Sequence, residues 1–162
     1  MTATSPLILG GIALFFAVQF GVSALAIGLG GAPERIVGAT LLFAAVATTL
    51  ASWVFPYSFA RVWWLSVWID AVLLAILLAV TAIADRFWPI WLTAFQVLAL
   101  FNHALRAYDP GLIYYAYWFI AGKMAYPMLL ILLLGTLRHR GRSREHRGEA
   151  DWTFQRRRAG KP

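Results

Sequence analysis

Asp70 and Lys123 each lie inside a long apolar stretch of this 162-residue chain. An ionisable residue in such a place costs about 2.5–3.5 kcal/mol on insertion scales and marks a functional position by default. Counted at about 1.5 Å per residue of helix, Asp70 falls about 12 Å inside one boundary of its stretch and Lys123 about 16–17 Å inside the same boundary. The lysine stem can reach outward over that difference, so an Asp70–Lys123 ion pair is expected. Such a pair either fixes helix register, as a buried pair can, or relays a proton or a substrate charge. Gln96 and His103 stand seven residues apart and share one helix face, which Asn102 and Arg106 crown. Gln19 sits near mid-depth of the first stretch. Asp70, Lys123, Gln96, His103, Gln19, Asn102 and Arg106 are therefore the candidate polar groups inside a membrane. His103 reads as an interfacial histidine bonded to a neighbour, with a ligand role as the alternative. Pro127, four residues after Lys123, frees a backbone carbonyl near position 123 and should kink its helix.

Other chemistry is excluded by residue type. Cysteine is absent, which removes disulfides, thiolate catalysis, iron–sulfur clusters and Cys-ligated zinc. A haem clamped by two intramembrane histidines needs a second one, and His139 and His146 lie in the tail. Only an oligomer could supply it. No H-E-x-x-H, G-x-S-x-G or P-loop pattern occurs. Asp70 is the one carboxylate within a stretch, so neither paired-carboxylate catalysis nor a carboxylate-built metal site is expected.

These residues need helices to hold them. Of the chain, 61% is hydrophobic and only 13% charged, against about 45–50% and about 25% in a soluble domain. A water-soluble enzyme, a nucleic-acid-binding domain and a disordered chain are excluded; one all-α integral membrane bundle remains. A bilayer core takes about 20 apolar residues of helix, and five stretches qualify: 7–29, 36–55, 62–84, 87–105 and 112–137. Gly and Pro at 28–33 with Glu34 and Arg35, Pro56 with Arg61, Asp85-Arg86, and Arg106 with Asp109-Pro110-Gly111 punctuate them. Short connections make consecutive helices antiparallel neighbours. Pro89 lies in the first turn of the fourth stretch, where proline is tolerated; a re-entrant fourth segment is the alternative. The first stretch has no Lys or Arg before Arg35 and outruns a signal-peptide core. It is read as a retained helix.

Residues 1–137 thus form the membrane domain and 138–162 a basic tail. The tail holds nine Lys/Arg against three acidic residues, nearly all of the chain's net charge of +7. By the positive-inside bias the C-terminus is cytoplasmic, and five spans place the N-terminus outside. Arg138, Arg140, Arg142, Arg144, Arg147, Arg156, Arg157 and Arg158 are expected to attract anionic headgroups, at about 1 kcal/mol for each near the surface. Trp152 and Phe154 beside the second basic cluster could dip back into the interface. Sequence-specific nucleic-acid readout has no support. Trp53, Tyr57, Trp63, Trp64, Trp68, Tyr108, Tyr114, Tyr115, Tyr117 and Trp118 fall near the outer face; Phe87, Trp88 and Trp91 fall near the inner one. That is an aromatic belt, or at the outer face the lining of a site for a bound lipid, quinone or pigment. No cofactor is otherwise expected.

Small residues recur at helical spacing: Ala13, Ala17 and Gly21 in the first stretch, Ala44, Thr48 and Ser52 with Ala47 and Ala51 in the second. They let backbones approach where packing drives association. The plain expectation is that the first two spans pack together through them; the other is a homo-oligomer or a partner-subunit contact.

Trp88-Pro89-x-Trp91, Phe95-Gln96, Asn102-His103, Asp109-Pro110, the run Tyr126-Pro127-Met128-Leu129-Leu130, and Gly135-Thr136 resemble small uncharacterised multi-span inner-membrane proteins of bacteria. The likeness covers the C-terminal half and implies the bacterial inner membrane, with no activity attached. The expected function is a non-enzymatic scaffold or accessory subunit of a membrane complex. The alternatives are a minimal transporter or ion pathway using Asp70 and Lys123, and a membrane enzyme acting on lipid or isoprenoid.

Overall fold

The computed structural model describes residues 6–54, 64–108, 123–145 and 152. Within them the chain forms five helices: α1 Pro6–Leu29, α2 Ala32–Val54, α3 Trp64–Ile83, α4 Trp88–Tyr108 and α5 Ala125–Glu145. The five form one all-α bundle. Each of α1 to α4 packs on its neighbour in sequence, and α5 closes the ring between α4 and α1 while also touching α2. The α1–α2 and α3–α4 connections and the C-terminal half of α5 gather at one end, here called the tail end.

Local chemistry explains the helix boundaries. Gly30 donates its N–H to the Ala26 carbonyl at 3.0 Å, and Arg35 Nε donates to the Gly30 carbonyl at 2.9 Å. A basic side chain thereby satisfies a carbonyl at a helix C-terminus. Proline follows the first residue of both α2 and α4, as Pro33 and Pro89, where its missing N–H is not needed. Hydroxyls inside the apolar helices bond their own backbone. Thr40 Oγ1 donates to the Ile36 carbonyl, Thr49 to Ala45, Thr93 to Pro89 and Thr136 to Leu132, at 2.7–3.0 Å. No neighbour is needed to satisfy them.

The core holds Val22 and Ala26 of α1, Val37 and Leu41 of α2, Leu73, Leu77 and Val80 of α3, Leu92 of α4, and Met128, Leu129 and Leu132 of α5. Ala84, after α3, bridges Trp152 of the tail in antiparallel pairing, and Trp152 packs against the core. Polarity is otherwise inverted. Phe43, Trp68 and Phe87 are 71%, 69% and 78% exposed, whereas Gln19, Glu34, Gln96, Asn102, His103 and Arg106 are buried.

Among the described residues three helices are long and apolar enough to cross a membrane: Gly10–Leu29, Ala32–Ser52 and Trp64–Ile83. Among the described residues the two other expected spans do not meet that measure. Gln96, Asn102, His103 and Arg106 lower the apolarity of α4. The described part of α5 begins at Ala125 and runs unbroken past position 137 into the arginines. Residues 112–122 of the fifth expected span lie outside the described residues, as do Arg147, Arg156, Arg157 and Arg158, Tyr57, Trp63 and the aromatics at 114–118. Of the arginines expected at headgroups, Arg138 and Arg140 are exposed and Arg142 is half-buried; for Arg144 only the helical backbone is described.

One packing expectation is corrected. Ala13, Ala17 and Gly21 are exposed, and a Cβ built on Gly21 would meet nothing within 4 Å. At about 100° per residue, Gly10, Ala13, Ala17, Gly21, Ala24 and Gly28 fill one sector of α1. The buried Gln19, Val22, Ser23 and Ala26 lie on the opposite side. Ala26 meets α2 instead, and Gly38 is what lets the two helices close: a Cβ there would stand 2.9 Å from that of Ala26. On α2, Ala44, Thr48 and Ser52 share the face of the buried Val37 and Leu41, with Ala47 and Ala51 at its flank, all half-buried.

Candidate functional site

Helices α3 and α4 meet through three polar contacts stacked along their length. Near the tail end the Thr81 and Thr93 hydroxyls are 2.8 Å apart. Towards the far end, Gln96 Nε2 donates to Asp70 Oδ1 and to the Asp70 backbone carbonyl, each at 3.1 Å. The other carboxylate oxygen, Oδ2, lies 3.1 Å from His103 Nε2. The spacing of seven that aligns Gln96 with His103 lets one aspartate hold both. Asn102 and Arg106 are buried on the same helix. A carboxylate bonded to an imidazole sets the ring's orientation, and here it also locks α3 to α4.

The expected Asp70–Lys123 ion pair is not formed among the described residues. Lys123 is exposed, with Nζ 5.3 Å from the centroid of the Tyr126 ring, a cation–π distance. Tyr126 packs edge-on against Phe15 of α1, their centroids 5.6 Å apart. Lysine therefore sits on the α1 side of α5, whereas α3 packs between α2 and α4. Equal depth along two helices does not bring side chains together when their faces diverge. Gln19 is also separate from the Asp70 group, its amide donating to Ser23 Oγ on its own helix at 3.3 Å.

A second polar site was not legible in the spacing. Glu34, in the first turn of α2, is fully buried. Trp88 Nε1 donates to Glu34 Oε1 at 3.2 Å, and Glu34 Oε2 has no hydrogen-bond partner. The Trp88 ring lies flat against Gly135 of α5, where a Cβ would stand 3.1–3.2 Å from the ring atoms. Glu34 reads in sequence as part of a charged break between spans. The available signal was its place after Pro33 at a helix start, where an acidic residue is favoured, together with small residues at 30 and 135.

Outside this wall the first turn of α4 and the last turns of α5 leave a groove of about 510 Å³, lined by Asp85, Arg86, Trp88, Trp91, Arg138 and Arg142 among others. Arg86 Nη2 lies 3.3 Å from His139 Nδ1 of α5. Among the described residues, no group of three or more His, Cys, Asp or Glu side chains is placed to hold a metal ion. Comparison with protein-family models, curated proteins and solved structures finds no match to this chain.

Proposed function

We propose that this chain is a non-enzymatic integral membrane protein, an accessory or scaffold subunit of a bacterial inner-membrane complex. In this reading it crosses the membrane about five times, with its basic tail in the cytoplasm. The observation that carries the membrane reading is the inverted polarity: every helix exposes large apolar side chains, while Gln19, Glu34, Gln96, Asn102, His103 and Arg106 are buried. Water would not tolerate that surface, and a lipid solvent requires it. The Arg-rich end of α5 supports a cytoplasmic tail end.

The accessory role rests on α1. Its small-residue sector is smooth, spans most of the helix and faces away from the bundle, the form a partner's transmembrane helix packs against. The Asp70, Gln96 and His103 groups, by contrast, satisfy one another between α3 and α4, and residues 128–134 of α5 are apolar. That arrangement favours a structural lock over a conduction path.

The test is assembly in native detergent. Gly21→Ile fills open space, so the chain should stay folded while its co-purification with the partner is lost; Leu25→Ala, outside the sector, should leave the complex intact. Reconstituted vesicles should show no proton or solute flux. Unchanged assembly in Gly21→Ile, or saturable flux abolished by Asp70→Asn, would overturn the accessory reading.

A further inference from the structure

The groove between α4 and α5 is graded from apolar to cationic. Ile131, Leu134, Arg138 and Arg142 line it from α5, and steps of three, four and four residues return to one helix face. Eleven residues of helix rise about 16 Å. That length crosses an interfacial layer of about 5–8 Å and continues about 10 Å into hydrocarbon. Trp91 of α4 and Phe87, just before that helix, face this strip, both more than half exposed.

Trp88 forms the back wall, held by Glu34 at its indole N–H and by Gly135 beneath its ring. The rim carries three arginines, Arg86, Arg138 and Arg142, against one acidic residue, Asp85. A guanidinium has five N–H donors in a fork that fits phosphate oxygens.

We propose that this groove binds one anionic glycerophospholipid from the leaflet at the tail end. The phosphodiester meets the arginine rim, and the upper acyl chain lies over Leu134, Ile131 and Trp91. A free phosphate would need only the rim, and the apolar half of the groove argues for a lipid. The proposal rests on the membrane reading above and goes beyond general attraction of the tail to headgroups, because it assigns one lipid to one helix face.

Arg138 and Arg140 separate the two ideas. Both are exposed and both carry one charge, but Arg140 lies on the opposite side of α5 and is absent from the groove. The full chain in mild detergent is titrated with phosphatidylglycerol or phosphatidylcholine and the bound lipid counted by native mass spectrometry. One phosphatidylglycerol should be retained in preference to phosphatidylcholine. Arg138→Gln should weaken it about fivefold, and Arg140→Gln less than about twofold. Equal losses in the two variants, equal retention of phosphatidylcholine, or displacement of the lipid by an equal concentration of glycerol 3-phosphate would overturn the groove. Alkaline carbonate extraction is run alongside. Protein that stays in the membrane while the groove fails leaves the membrane reading standing; protein that washes out overturns both.

Discussion

Asp70→Ala is expected to destabilise the protein by about 2–3 kcal/mol, read as thermal unfolding in mild detergent. The Gln96 amide and the His103 ring both bond this carboxylate, and each buried group left unmatched costs about 1–3 kcal/mol. Gln96 keeps the Asp70 backbone carbonyl as an acceptor, which holds the total below the simple sum. Polar contacts between membrane helices also average below their counterparts in water. Asp70→Asn, which retains one acceptor oxygen, should lose less. A double-mutant cycle of Asp70→Ala with His103→Ala should show coupling of about 1 kcal/mol or more. Lys123→Ala, in contrast, should change stability by less than about 0.5 kcal/mol, since its side chain is exposed over Tyr126. A large loss in Lys123→Ala, with compensation by Asp70→Ala, would restore the ion pair that the geometry denies.

Gly30→Ala should be worse still, at about 3 kcal/mol or more, because overpacking at an unyielding site exceeds the usual range of about 1–3 kcal/mol. A Cβ there would come within 2.4 Å of Glu34 Cβ and 2.5 Å of the Ala26 carbonyl oxygen. Neither is the end of a flexible side chain. Relief would shift the first turn of α2, and with it the acceptor for Trp88. Gly38→Ala should cost less, about 1–2 kcal/mol, since its Cβ would meet only the Ala26 methyl at 2.9 Å and more distant atoms. Gly21→Ala, in open space, should gain about 0.5–1 kcal/mol from helix propensity. The three glycines thus form a graded series on one scale of melting temperature. A Gly30 variant melting with the parent would show that Glu34 is not packed into the α1–α2 turn.

Much of the fold is legible without coordinates. The stretches expected at 7–29, 36–55, 62–84 and 87–105 correspond to α1, α2, α3 and α4 with ends displaced by four residues or fewer. The breaks are local events: two adjacent glycines before Pro33, and Asp85-Arg86 before Trp88-Pro89. Each depends on backbone freedom, ring closure or the cost of burying a charge, and none requires knowledge of the neighbours. The same holds for Gln96 and His103, whose common face follows from helix geometry.

Apolar length, the punctuation between helices, the polar face of α4 and the basic end of α5 were therefore determined by the sequence itself. Only the tertiary structure decided which way each helix turns. In water, hydrophobicity separates an inner face from an outer one, but α1 is apolar on both sides, so its pattern carries no direction. For that reason the small residues of α1 could be read as packing inward, although they face out. Lys123 could likewise be paired with Asp70 by depth alone, although the ring order of helices places His103 and Gln96 there instead. Glu34 shows the same reason from the other side. A carboxylate next to a turn looks solvated in one dimension, and only Trp88 arriving from α4, held against Gly135 of α5, closes it from water.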